Sequence, residues 1–135
     1  MRLFFDACVV IYQVEAAEPF YSRVAQAVAS FRREHGRLHY AVSRLSLMEC
    51  LVRPLREQDA DTLSRYEEFF NARNLDIVEL SPQVVDLATK LRATYAVRTP
   101  DALQVACAMS LRGQTIFMTG DAAFKKIADL AVLVI

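Results

Sequence analysis

Two rhythms of apolar positions alternate along the chain. Short apolar-rich runs predict strands: residues 3–5, "RLHYAV" at 37–42, "LDIVEL" at 75–80, "TIFM" at 115–118 and "AVLVI" at 131–135. Between them the apolar residues recur at helical spacing. Residues 8–14 predict a first helical turn or two. In "EPFYSRVAQAVASFRREHG", Phe20, Val24, Ala27, Val28 and Phe31 share a face, Pro19 suits the first turn and Gly36 stops the helix. Ser43 is placed to cap the helix of "RLSLMECLVRP", which Pro54 helps to end. "DADTLSRYEEFFNAR" is amphipathic, with Leu63, Tyr66, Phe69 and Phe70 on one side. "SPQVVDLATKLRATY" and "TPDALQVACAMSLRG" open alike, with Ser81 or Thr99 as cap and proline at the first helical position. "DAAFKKI" predicts a short helix. Strands separated by helices argue for one α/β domain over residues 1–135. Its core is a central, mostly parallel sheet of four to five strands with helices on both faces.

Size and composition agree with a single folded domain. The chain has 135 residues, 54% of them apolar, with three glycines and four prolines. Its formal net charge is zero, so an anionic partner must be drawn by a local patch or by bound cations. Cys8, Cys50 and Cys107 are odd in number and widely spaced, without a C-x-x-C pair, as expected of free thiols in a reducing cytoplasm. Asp6 and Glu15 interrupt the opening apolar stretch, so neither a signal peptide nor a membrane span is expected there.

The chemistry lies in acidic residues set in apolar company. Asp6 ends the first strand, Glu49 sits within "LSLMECLV", Asp101 is in the first turn of its helix, and Asp121 follows "TIFMTG". Each has a plain explanation when taken singly. Asp6 and Asp121 are good helix caps, Asp101 complements a helix dipole, and Glu49 has Arg53 four residues on. Taken together they are harder to dismiss. In a parallel sheet the ligand site lies beyond the strands' carboxyl ends, where Asp6 and Asp121 fall. Glu49 and Asp101, expected early on their helices, can join that edge. Two carboxylates ~4 Å apart repel by about 4 kcal/mol at an effective dielectric of ~20. A hard divalent cation removes that conflict, and carboxylate oxygens are what Mg2+ and Mn2+ prefer.

The segments "LFFDACVVIY", "VSRLSLMECLVRP", "RTPDALQVACA" and "FMTGDAAFKKI" resemble, in order and spacing, those of the PIN-domain family. They look most like the compact VapC-type ribonuclease toxins of bacterial toxin–antitoxin pairs. The resemblance implies an Mg2+- or Mn2+-dependent endoribonuclease whose metal-binding, catalytic acids are Asp6, Glu49, Asp101 and Asp121. Thr119 matches the hydroxyl residue that accompanies the last acid. It further implies a cytoplasmic protein that cleaves RNA, a VapB-like antitoxin as partner, and a homodimer that can join a larger complex. Ala7 and Cys8 depart from the hydroxyl-plus-Asn or -Ser pattern after the first acid, and Ala123 stands where a further acid is common. Those departures concern hydrogen bonding around the acids and a second metal ion. A housekeeping RNA-processing nuclease without antitoxin, and a non-catalytic binding module, are the alternatives.

Other candidates have weaker patterns. His35 and His39 flank Gly36 and lack the H-E-x-x-H spacing, so structural or surface roles are expected. Cys8 has no base beside it in sequence and reads as a buried thiol. Arginines and lysines near each acidic segment, Arg44, Arg53, Arg98, Lys125 and Lys126 among them, are solvated helix faces by default and phosphate contacts if RNA binds. Tyr12, Tyr21 and Phe124 are read as core before base-stacking groups.

Overall fold

The computed structural model describes all residues, Met1–Ile135. Strands β1 (Arg2–Phe5), β2 (His39–Ser43), β3 (Leu75–Val78), β4 (Thr115–Thr119) and β5 (Val132–Val134) form one sheet in the order β3-β2-β1-β4-β5. Every adjacent pair is parallel, and Phe4 lies between Ala41 and Phe117 in register. Helices α1 (Ala7–Val14), α2 (Phe20–His35), α3 (Arg44–Arg56), α4 (Ala60–Phe70), α5 (Pro82–Tyr95) and α6 (Thr99–Ser110) fill the crossovers, and a 3-10 segment over Ala122–Lys126 precedes β5. The expected α/β layering is therefore present, with five strands and a sheet that is parallel throughout.

Handedness explains which helices go where. From β1 the chain steps outward to β2 and β3, so right-handed crossovers put α1 to α4 on one face. It then returns to β4 and β5 on the far side of β1, and the same handedness puts α5, α6 and the 3-10 segment on the other face. Two cores result. Leu3, Phe5, Val42 and Met118 pack with Val9, Val10, Val24, Tyr66 and Phe70, while Phe4, Ala41 and Phe117 pack with Val84, Leu91, Val105 and Phe124. Successive residues of β1 thus point to opposite cores, as the pleat requires, and both faces are dry.

Element ends follow local chemistry with three exceptions. Ser43 and Ser81 cap α3 and α5 as expected, accepting from the Leu45 and Val84 backbone N–H groups at 3.1 and 3.2 Å. Thr99 does not cap α6. Extended Arg98 takes that position without a side-chain bond, and the Thr99 hydroxyl accepts instead from Arg92 at 2.9 Å. Pro54 lies inside α3, two residues before its end, where a missing N–H removes a single hydrogen bond and the helix continues to Arg56. Pro19 sits at the cap position of α2, its carbonyl accepting from Arg23 at 3.2 Å, one residue earlier than expected.

Candidate active site

The strand order reverses between β1 and β4, so the carboxyl ends of these two strands form the sheet's topological switch point. A parallel sheet puts its ligands at such a switch point. Asp6 directly follows β1, and Thr119 closes β4 with Asp121 two residues beyond. The two strand ends are stitched together here. The Asp6 backbone N–H donates to the Met118 carbonyl at 3.0 Å, and the Thr119 hydroxyl donates to Asp6 Oδ2 at 2.8 Å. The Thr119 oxygen in turn accepts from the Asp121 N–H at 3.2 Å.

Asp6 also caps α1, its Oδ1 accepting from Ala7 N–H at 2.8 Å. The capping explanation is therefore correct and incomplete, because a cap does not need the buried Thr119 hydroxyl on its second oxygen. Burial pushes the Asp6 carboxyl above the ordinary range; the hydrogen bonds from Thr119 and Ala7 oppose this, and the charge of Asp101 adds to it. Cys8 Sγ lies 3.7 Å from Asp6 Oδ2 and accepts from Gly120 N–H at 3.3 Å. Its thiol, desolvated and beside Asp6, is pushed up to about 11. Cys8 thus lines the site as a neutral thiol, which the sequence treats merely as a buried residue. Gly120 leaves room on the other side, since a Cβ there would meet the Tyr12 hydroxyl at 2.6 Å.

Glu49 reaches the same region from the second turn of α3, which begins at Arg44 after the Ser43 cap as expected. It does not pair with Arg53, whose guanidinium binds Glu15 and Glu57 instead. Glu49 Oε2 accepts from the Gln104 amide at 3.0 Å, and that amide also donates to Ser46 Oγ at 2.9 Å. One turn along, Cys107 Sγ donates to Ser43 Oγ at 3.3 Å. A polar seam therefore joins α3 to α6 in steps of three residues. Ser43 meets Cys107, and Ser46 meets Gln104. The next step along α3 is Glu49, and along α6 it is Asp101. Electrostatics agrees with that register. Although Glu49 as a residue is exposed, its carboxylate end rests against α6, and desolvation raises it further than the Gln104 bond lowers it, with the charges of Asp6 and Asp101 adding to the rise.

Asp101 carries its own countercharge, a bond from Arg98 Nε at 3.0 Å. Asp121 caps the 3-10 segment through the Ala123 N–H at 2.8 Å and is exposed. It lines, with Arg98, Asp101, Phe124 and Lys126, an open cleft of about 400 Å3. The fold thus brings Asp6, Glu49 and Asp101 within reach of one another's charge, and Asp121 lines the same cleft as Asp101. It does not gather three of them into a ready-made cage, because each is turned to a protein donor. In donor chemistry the three suit a hard divalent cation: all ligands are carboxylate oxygens, and their mutual charge favours a cation between them. His35 and His39 are exposed before and at the start of β2, at the opposite edge of the sheet, and take no part.

The family model for the PIN domain matches residues 3–130 of the sequence. The chain belongs to the PIN-domain family. No curated protein matches the sequence significantly. Among solved structures, the fold is similar to VapBC2 from Rickettsia felis bound to a DNA fragment from its promoter, with TM-score 0.76 and 16% identity over 99% of this chain and 98% of that one. VapBC-1 from nontypeable Haemophilus influenzae gives a TM-score of 0.77 at 16% identity, over the same shares of both chains. A toxin–antitoxin complex from Klebsiella pneumoniae gives 0.71 at 19%, covering 98% of this PIN chain and 96% of that chain. At such identities the likeness is one of fold.

Two residues of the site had little signal in the sequence of this PIN domain. Gln104 is a polar side chain inside the apolar stretch "ALQVACA", three residues after Asp101, a spacing that marks one helix face. Arg98 was legible as a basic neighbour, but its pairing with Asp101 was not.

Proposed function

We propose that this PIN-domain protein is a divalent-metal-dependent endoribonuclease and the toxin of a toxin–antitoxin pair. What carries the reading is the charge coupling of Asp6, Glu49 and Asp101, drawn from three separate elements to the switch point of a parallel sheet. Mg2+ or Mn2+ held by these three, with Asp121 on it or on a second ion, would supply an acidified water and positive charge for the phosphate oxygens. The protein's own share is positional. Thr119 and Ala7 fix both oxygens of Asp6, and Gln104 fixes one oxygen of Glu49. Arg98 and Lys126 line the cleft and offer cationic contacts to phosphates on either side of the bond to be cut.

The partner follows from the fold likeness to VapBC complexes and from unfilled apolar surface. Between α3 and α4 lies a cleft of about 630 Å3 lined by Leu47, Leu51, Leu63 and Phe70. It suits the apolar face of a helix from a VapB-like antitoxin, whose basic side chains would be drawn to the acids. The outward face of α3 is a second apolar surface, with Met48, Val52 and Leu55 exposed by 60%, 45% and 60%. A homodimer would cover it.

The test is cleavage of a panel of structured RNAs by the purified chain with Mg2+, Mn2+ or excess EDTA. Cleavage that persists undiminished in EDTA overturns the metal mechanism. Binding without cleavage across the panel favours a non-catalytic module. Co-expression with the neighbouring reading frame separates a toxin, which recovers a tight partner, from a housekeeping nuclease, which recovers none.

A further inference from the structure

We infer that Gln104 is a positioning residue for Glu49, setting which oxygen of that acid is left to bind a divalent cation. The inference rests on the metal-dependent reading above and adds a residue to it. Gln104 is 1% exposed, on the face of α6 that meets α3. Its amide nitrogen donates twice across the seam, to Ser46 Oγ at 2.9 Å and to Glu49 Oε2 at 3.0 Å. Its carbonyl oxygen is buried and has no hydrogen-bond partner.

That arrangement is not what packing alone asks for. A leucine or methionine would fill the same space without burying an unpaired carbonyl. Turning the amide over would let the Ser46 hydroxyl donate to the Gln104 oxygen but would set that oxygen against the Glu49 carboxylate, which can only accept. The ionised carboxylate therefore dictates the amide's orientation, and the orphaned oxygen is its consequence. Both N–H groups of the amide are committed to α3, so Glu49 Oε2 is held while Oε1 carries no protein partner. Gln104 and Asp101 lie one turn apart on α6. A single helix thus supplies one acid of the site and the donor that orients another. Hydrogen bonds to a metal-binding carboxylate act through ligand geometry, and their loss typically costs about 10- to 100-fold in affinity or activity.

The experiment is isothermal titration of Mn2+ into the full chain, as wild type, Gln104→Met, Gln104→His and Glu49→Ala, and as the double variant Glu49→Ala with Gln104→Met. Circular dichroism melts run alongside. Methionine keeps the volume and removes the donor. Gln104→Met is expected to fold and to bind Mn2+ about 10- to 100-fold more weakly. Histidine, which restores an N–H, should recover part of the loss. In the Glu49→Ala background Gln104→Met should add nothing, because its effect runs through that carboxylate. A merely structural Gln104 would lower the melting temperature, leave Mn2+ affinity unchanged and give additive effects, and that result overturns the inference. Should Gln104→Met not fold, Gln104→Asn, too short to reach α3, carries the same comparison. A wild type that binds no Mn2+ defeats the metal reading itself, and the inference with it. Equal, tight binding by wild type and Gln104→Met defeats the inference alone.

Discussion

Replacing Asp101 by asparagine separates a metal-binding acid from a helix-end charge. Asp101 is in the first turn of α6, where a negative charge is worth about 0.3–1 kcal/mol against the helix dipole. It also pairs with Arg98, but the arginine is 80% exposed, and so open an ion pair is screened and contributes little. On the other side of the balance, the Asp101 charge raises the carboxyls of both Asp6 and Glu49. Neutralising it relieves Asp6 and Glu49, whose carboxyls are already raised by desolvation. That relief opposes the loss of the dipole interaction. In EDTA the variant should therefore melt at or above wild type, whereas loss of a helix-end charge alone would lower it by up to about 3–5 °C, the shift that ~1 kcal/mol gives in a domain of this length.

Metal changes the comparison. A ligand that binds the folded state alone, at a hundredfold excess over its dissociation constant, stabilises by about 2.7 kcal/mol, or roughly 10 °C here. Wild type should rise by that amount in saturating Mg2+ or Mn2+. Asp101→Asn should lose most of the rise, together with RNA cleavage. Melts of both proteins, in EDTA and over a metal series, provide the measurement. If the variant melts lower in EDTA by the dipole increment and gains as much from metal as wild type, Asp101 is a helix-end charge, and the grouping of acids proposed above is wrong.

Four further outcomes are expected. Asp6→Asn tests linkage: the folded carboxyl is raised, so its protonated form contributes stability that is fully present below the unfolded pKa and lost as pH rises through the folded one. Metal-free wild type should therefore lose stability relative to the variant over that window, and a gap that widens in the opposite direction refutes the burial argument. Tyr66 is fully buried and donates to Glu15 at 2.5 Å, so Tyr66→Phe should cost about 1.5–3 kcal/mol by urea denaturation while the response to Mg2+ stays unchanged. With its thiol pushed up to about 11, Cys8 should react slowly with iodoacetamide at pH 8, and rapid labelling located by peptide mass would contradict a desolvated thiol. The homodimer proposed through the exposed face of α3 requires that Leu55→Glu shift sedimentation from dimer to monomer, and an unchanged value would refute it.

What the sequence made legible has a common physical cause. Residues 3–5 read as a buried strand because a parallel sheet covered on both sides allows no polar alternation there, and both cores do claim them. Asp6 stood out because a carboxylate beside such a run must find compensation, which Thr119 and Ala7 provide. The errors fall where a local rule met a distant side chain. Thr99 had every local reason to cap α6, but Arg92 took its hydroxyl. Glu49 had a cation one turn away, but that cation was drawn to Glu15, the residue that ends α1.

Gln104 shows why this boundary lies where it does. Its partners on α3 are 58 and 55 residues away in sequence, and nothing near it in the chain names them. Once the topology is known, the pairing is nearly forced. Right-handed crossovers bring α3 and α6 to the sheet's carboxyl edge from opposite faces, and a seam in three-residue steps begun by Ser43 and Cys107 must next match Ser46 with Gln104. Glu49 and Asp101 are the following step on each helix. Glu49 and Asp101 are thus set in register by the uncharged residues behind them, so changes along the seam should disturb the site even where no acid is touched. Ser43→Ala tests this. It removes the cap of α3 and the oxygen facing Cys107, and should cost about 1 kcal/mol of stability. If the seam sets the register of Glu49, the same change should also weaken Mn2+ binding. Full metal affinity in a destabilised Ser43→Ala protein would show that Gln104 holds Glu49 without help from the turns behind it.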